Sequence, residues 1–309
     1  MKSPKVSVSI IAYNHEKYIA ACLDSVVSQV TNFDFEIVVS DDCSKDRTAE
    51  IIADYALRYP DLIKPIYRNP NLGSRRNAIK TIEACIGNYI ALLEGDDFWV
   101  DNNKLQVQAD YLDKNQDCAF CFTNNYTFYE DRPEKKEICF TEKNKPPEKF
   151  DVTFFIKHNT LIPNNTKMFR REVQPKDFPE YFFDSYSWDW TLHILQTKNS
   201  LMGYIDRVTL AYRRHPGAVY IAQTEITVLE NKIKSSIGLD IFLKHKYDYR
   251  LRNFWWEYHQ LAFAHLNDGR FGTFLYYYFK YLLISEKPDD FKLKDDLWLL
   301  RKGLFRRNN

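Results

Sequence analysis

Residues 94–97 read EGDD, three carboxylates within four positions, directly after the apolar run IALL (90–93). Carboxylates so close repel one another, and a hard divalent cation is the chemistry that makes the cluster favourable. A cation that keeps open coordination positions can go on to hold a diphosphate. A second acidic pair, Asp41 and Asp42, closes another apolar run in FEIVVSDDCS (35–44). The usual glycine loops that cradle phosphates are absent. The turn after the first apolar run is AYNHEK, with no GxGxxG, and the chain has no GxxxxGK[ST]. A receiver domain also uses paired aspartates at a strand end, but it would leave most of this chain unused. Clustered acids without a phosphate loop fit a donor whose leaving group is a nucleoside diphosphate.

Such acids need a scaffold, and the first hundred residues supply one. VSVSII (6–11), FEIVVS (35–40), IKPIY (63–67) and YIALL (89–93) read as buried strands. Between them, apolar residues at helical spacing mark three helices: Ile19 to Val30 with Asn14 as its cap, Ile51 to Tyr59 with Ser44 as its cap, and 74–86. Strand and helix alternating in this way give βαβ units and a parallel sheet covered on both faces. Ligands bind such sheets at the carboxyl ends of the strands. What stands there is AYNH, DDCS, RNPNLGSRRN and EGDD.

The rest of the chain is less regular. KLQVQADYLDKN (104–115) reads as a helix and CAFCFTNNYTFY (118–129) as a strand. The charged, proline-bearing segment 130–150 reads as an exposed loop. TLIP, TKMFRRE and SWDWTLHILQ read as two short strands and a helix, and 201–215 as a strand pair or extended segment. From Thr224 onward the pattern is helical and rich in aromatics.

Composition excludes more than it identifies. The net charge is +1, which gives no basic footprint for nucleic acid. No apolar run reaches the roughly 20 residues of a membrane span, and no signal peptide is evident, so the expected location is the cytosol. The six cysteines are expected as reduced packing residues. Cys118 and Cys121 form a CxxC with nothing to complete a zinc site. Aromatics make up 16% of residues, an excess that fits packing as well as a sugar-binding surface.

Taken together and in order, VSVSIIAYNHEKY…FEIVVSDDCSKDRT, NPNLGSRRNAI and GNYIALLEGDDFW with KLQVQ resemble the family 2 glycosyltransferases of the GT-A fold. The resemblance is dense over about residues 5–110 and thin to about 220. It implies an α/β fold, a doubly wound, mostly parallel GT-A sheet with a C-terminal helical appendage. The implied domains are 1–222, split into a nucleotide-binding half (1–110) and an acceptor-binding half (111–222), and a helical region over 223–309. It implies an inverting, metal-assisted transfer from a nucleotide-sugar, a UDP-sugar foremost, to a hydroxyl of a glycan or lipid-linked saccharide in polysaccharide biosynthesis.

Residue by residue, Ile11, Ala12 and Tyr13 resemble the stretch lining the nucleotide pocket. Asp42 resembles the aspartate that reads the uracil imide, with Asp41 fixing the loop. Asn71, Gly73 and Arg76 resemble the loop near base and diphosphate. Asp96 resembles the ribose contact, and Asp97 the ligand of Mg2+ or Mn2+, with Glu94 completing the acidic set. Asp189, in SWDW, stands where the family carries its catalytic base, although Trp188 replaces the commoner acidic neighbour. YRRHPGAVY (212–220) resembles a loop closing over the donor, with Arg213 and Arg214 as donor contacts and His215 at the metal.

Plainer readings stand beside these. Asp41 and Asp42 could cap the following helix, Asp189 could be an N-cap, His215 could fix a loop, and Tyr276, Tyr277 and Tyr278 could be helix packing. A sugar nucleotidyltransferase would need a glycine-rich basic loop that AYNHEKY lacks, and a non-catalytic nucleotide-sugar or carbohydrate binder would tend to lose the acids. The tail LWLLRKGLFRRNN (297–309), with four basic residues and no acidic one, fits a peripheral membrane contact or a helix packed on its neighbours.

Overall fold

The computed structural model describes residues 3–158, 160–185, 188–215, 224–247 and 255–283. The chain forms two compact units, Met1–Lys176 with Leu192–Ala218, and Asp177–Thr191 with Val219–Asn309.

The first unit opens with β1 (Val6–Ala12), α1 (Ile19–Val27), β2 (Phe35–Asp41), α2 (Thr48–Arg58), β3 (Ile63–Tyr67), α3 (Ser74–Glu83) and β4 (Tyr89–Glu94). The four strands pair in parallel in the order β3-β2-β1-β4, as the βαβ pattern requires. Val6, Val8 and Ile10 enter one core with Ile37, Val39, Ala91 and Leu93 and with the α1 residues Ile19, Leu23 and Val26. Ser7 and Ser9 alternate with those valines, yet they too are buried. Ser7 is satisfied there: its hydroxyl donates to Glu36 Oε1 at 2.6 Å and accepts from Gly87 N at 2.8 Å.

The second half of the sheet is mixed. It adds β5 (Phe98–Trp99), α4 (Lys104–Lys114), β6 (Cys118–Tyr129), β7 (Arg132–Ile138), β8 (Lys149–Phe150), α5 (Val152–His158), β9 (Met168–Arg170), α6 (Trp188–Thr197) and β10 (Leu201–Arg214). The path continues β4-β9-β6-β10-β5, with β9 antiparallel to both neighbours and β10 parallel to β6. Residues 201–214 are one fourteen-residue strand with register shifts, rather than a strand pair.

Several local expectations are corrected. Neither Asn14 nor Ser44 caps a helix. Asn14 adopts the left-handed φ of 56°, and Ser44 Oγ accepts its N–H at 2.9 Å while Asn14 Oδ1 accepts from Lys45 N at 2.8 Å. The loops after β1 and β2 are thus stitched to each other, and α1 and α2 begin only beyond them. The third helix ends at Glu83, short of residue 86. The charged segment 130–150 contains β7, a fully exposed strand antiparallel to β6. Its cations cover rings on that strand, Lys136 over Tyr126 at 4.8 Å and Arg132 over Tyr129 at 5.1 Å, so charge rather than apolar alternation holds it. TLIP is not a strand, and α5 forms over Val152–His158, just beyond the segment read as loop. The CxxC cysteines are buried and form no disulfide.

The second unit contains α7 (Glu225–Phe242), α8 (Trp255–Asn267) and α9 (Phe271–Leu283). Leu229, Ile233 and Leu261 pack with Tyr258 and Tyr277, and Ala262, Leu266 and Phe274 pack with Phe263 and Tyr278. Tyr277 and Tyr278 are therefore packing residues, whereas Tyr276 is exposed. The basic tail 297–309 lies outside the described residues, and no described helix is long and apolar enough to cross a membrane.

Candidate active site

The carboxyl ends of β1, β2 and β4 meet through their backbones. Gly95 N donates to Ile11 O and Asp42 N to Ala12 O, each at 2.9 Å. Ala12 is buried, Ile11 half-buried and Tyr13 exposed. The buried Asp42 holds the loop before α3: its carboxylate accepts from Leu72 N at 2.8 Å and Gly73 N at 2.9 Å, and Asn71 Nδ2 donates to its carbonyl at 2.6 Å. Gly73 needs its glycine, because φ is +80° there. Asp41 Oδ2 accepts from Ser44 N at 3.1 Å, bracing the loop that precedes α2. Arg76 is exposed in the first turn of α3. Asp41 and Asp42 are therefore loop-holding residues, not helix caps.

β4 delivers the acids. Glu94, Asp96 and Asp97 each offer a carboxylate oxygen within 4.8 Å of the others. Asp97 is buried, and burial followed by the charges of Asp96 and Glu94 pushes its carboxyl well above the usual range. Burial also works against ionisation of Asp96, but the hydrogen bond from His215 and the neighbouring His15 hold it below the usual range. Asp96 Oδ1 is buried without a hydrogen-bond partner. Crowded oxygens, one acid driven toward neutrality and one orphaned acceptor are the conditions that a hard cation relieves. The residues present fit a divalent cation.

Around the acids stands a shell that the local sequence pattern does not show. Asn165, in the 3-10 turn Asn164–Thr166, donates from Nδ2 to Asp97 Oδ2 at 2.5 Å. Arg213, at the end of β10, gives its backbone N–H to Asp97 Oδ1 at 2.7 Å and its Nε–H to the Asp96 carbonyl at 2.8 Å. Its guanidinium lies over the rings of Tyr18, Phe98 and Phe128 at 4.7, 5.5 and 4.9 Å. His215 Nε2 is 3.1 Å from Asp96 Oδ2, and His15 Nε2 is 3.8 Å from the same oxygen. His215 thus faces Asp96 rather than joining the three close carboxylates. Arg214 lies over the Tyr212 ring at 5.1 Å. Residues 216–220 of the expected closing loop are outside the described ones.

Asp189 belongs to the other compact unit. It sits in the first turn of α6, half-buried, and its Oδ1 accepts from Trp190 N at 2.8 Å.

Asn165 and His15 are the participants sequence reasoning missed. His15 had a signal, since it lies in the AYNH run at a strand end. Asn165 had none, because its partner is 68 residues away.

The profile of glycosyl transferase family 2 matches residues 7–174, more than half of the chain. The chain belongs to glycosyl transferase family 2. An uncharacterized protein of Mycobacterium tuberculosis is 33% identical to this family 2 chain over 219 residues, covering 70% of this chain and 60% of the relative's own length. The Escherichia coli UDP-Glc:alpha-D-GlcNAc-diphosphoundecaprenol beta-1,3-glucosyltransferase WfaP is 27% identical over 234 residues, covering 76% of this chain and 87% of WfaP. Among solved structures, Staphylococcus aureus TarS 1-349 in complex with UDP-GlcNAc superposes with a TM-score of 0.59 at 20% identity, over 85% of this chain and 80% of TarS. At that identity the likeness is one of fold, and the fold is GT-A.

Proposed function

We propose that this family 2 chain is an inverting glycosyltransferase that moves a sugar from a UDP-sugar to a hydroxyl of a glycan or lipid-linked saccharide. The observation that carries the reading is the Glu94, Asp96 and Asp97 cluster at the end of β4, within 4.8 Å and with a buried unpartnered oxygen. The UDP-GlcNAc held by TarS and the undecaprenol-linked acceptor named for WfaP support donor and acceptor class.

Ile11, Ala12 and Tyr13 would line the nucleotide pocket. Asp42 would accept the uracil imide N–H on a lone pair that Leu72 N and Gly73 N leave over, since a carboxylate has about four acceptor sites. Asn71 and Arg76 would border base and diphosphate, and Asp96 would meet the ribose. Asp97, with Glu94, and with His215 acting through Asp96, would hold Mn2+ or Mg2+, which when bound neutralises charge on a departing diphosphate. Arg213 and Arg214 would add positive charge beside the same phosphates. Asp189 would take the proton of the acceptor hydroxyl as that oxygen attacks the anomeric carbon. The division into 1–222 and a helical 223–309, and work at the cytoplasmic face of a membrane, belong to the same proposal.

A panel of UDP-, GDP- and dTDP-sugars, scanned by thermal shift with and without Mn2+, tests the donor side, because a bound donor raises the melting temperature in proportion to affinity. A Mn2+-dependent shift with UDP-sugars and slow release of UDP is the expected result. Stable donor binding with no turnover on any acceptor would instead mark a binding protein.

A further inference from the structure

Three consecutive residues at the end of β10 are held by one side chain and its partner. Tyr18, immediately before α1, is buried; the Arg213 guanidinium lies over its ring at 4.7 Å, and the His215 ring packs against it with centroids 4.7 Å apart. Residues 213 and 215 can share one ring because alternate residues of an extended chain face the same side. The Tyr18 hydroxyl donates to the Glu130 carboxylate at 3.1 and 3.3 Å, and Glu130 N donates to Arg214 O at 3.0 Å. The residue between Arg213 and His215 is thus fixed through the same tyrosine. Among the described residues, no other ring meets both Arg213 and His215.

The tyrosine is itself held at both ends. Tyr18 N and Ile19 N both donate to His15 O at 2.9 Å, which fixes the backbone from which the ring projects. Burial and then the Glu130 bond push the phenol pKa up, so the hydroxyl keeps its proton and stays a donor. What the ring holds are the residues that brace the acids. Arg213 bonds Asp97 Oδ1 and the Asp96 carbonyl, and His215 faces Asp96 Oδ2. Groups set in place before a ligand arrives lose less freedom when it binds. We infer, on the function proposed above, that Tyr18 is a positioning residue of this site, setting Arg213 and His215 against Asp96 and Asp97 for a metal-bound nucleoside diphosphate.

The test is calorimetric titration of the full chain with Mn2+ and then UDP. Tyr18→Leu, which removes the ring, should bind Mn2+ and UDP about tenfold more weakly. Tyr18→Phe and Glu130→Ala each remove only the tie between hydroxyl and carboxylate, and each should lose about threefold. Joined to Arg213→Ala, Tyr18→Leu should lose less than the product of the two single losses, because residues that act as one unit are not additive. A Tyr18→Leu variant that melts earlier yet binds Mn2+ and UDP like wild type would overturn the inference and leave a packing residue. Losses that simply multiply in the double variant would overturn it too. If Tyr18→Leu does not fold, wild-type binding by both Tyr18→Phe and Glu130→Ala has the same force. Wild-type titrations separate the two readings: without Mn2+ and UDP binding both fall, and with it an unaffected Tyr18→Leu removes the positioning role alone.

Discussion

The Asn165 side-chain amide donates to Asp97 Oδ2 at 2.5 Å, joining a 3-10 turn to the end of β4 across 68 residues of sequence. Both side chains are buried. The partner oxygen, Oδ1, is held by the Arg213 backbone at 2.7 Å, so Asp97 is oriented from two sides. Groups that orient a metal ligand govern affinity nearly as strongly as the ligand itself. Asn165→Ala should weaken Mn2+ binding, measured by calorimetric titration, about tenfold or more while the fold persists. Unaltered Mn2+ affinity would show that Asn165 serves only the turn.

Asp189→Asn should lower the transfer rate by about two to four orders of magnitude, the range a positioned base contributes. Donor affinity by thermal shift should stay close to wild type. A variant that transfers at the wild-type rate would remove Asp189 from the chemistry.

Lys104 gives a pH signature away from the acids. It is fully buried in α4, its amine bonded to Gln108 Oε1 and, at 3.3 Å, to the Thr166 carbonyl, with the Trp99 ring 4.6 Å away. Burial pushes its pKa down to about 7 from 10.5. Between those values the unfolded chain binds the extra proton, so this group makes stability rise with pH from about 7 toward 10.5, and its full cost is felt below 7. Lys104→Met abolishes that contribution. The stability of Lys104→Met minus that of wild type, from urea unfolding, should therefore fall steadily between pH 7 and 10. A pH-independent difference would mean that the amine stays charged throughout.

Gly87 lies where β1 and β4 begin. A Cβ there would sit 2.5 Å from Ser7 N and 2.7 Å from the Val6 carbonyl carbon, both backbone atoms of a buried strand. Gly87→Ala should cost about 1–3 kcal/mol, the usual price of overpacking, seen as a lower melting temperature with unchanged donor specificity. Full wild-type stability would show that β1 can yield at this point.

Sequence periodicity revealed what repeats. The β-branched runs and the helical spacing between them placed β1 to β4 and their helices, and the acids fell at the strand ends because turns there need polar residues. The same logic failed where contacts rather than periodicity decide. Asn14 and Ser44 have the chemistry of helix caps, but each found the other first. β7 has no apolar face to betray it, since its cations lie on aromatic rings of β6. Arg213 read as a phosphate contact, whereas its aromatic cage and its bonds to Asp96 and Asp97 show a residue that also braces the acids. No pattern in NNTK announces Asn165.

The bonds from Arg213 also bear on when the site can exist during synthesis. Asp97 emerges from the ribosome 116 residues ahead of the amide that holds its Oδ1. Until the Asn164–Thr166 turn and then β10 arrive, Asp97 lacks both of the donors that orient its carboxylate beside Glu94 and Asp96. The first hundred residues carry most of the legible motifs, yet they are not a cassette that could be cut out and transplanted with its acidic centre in order.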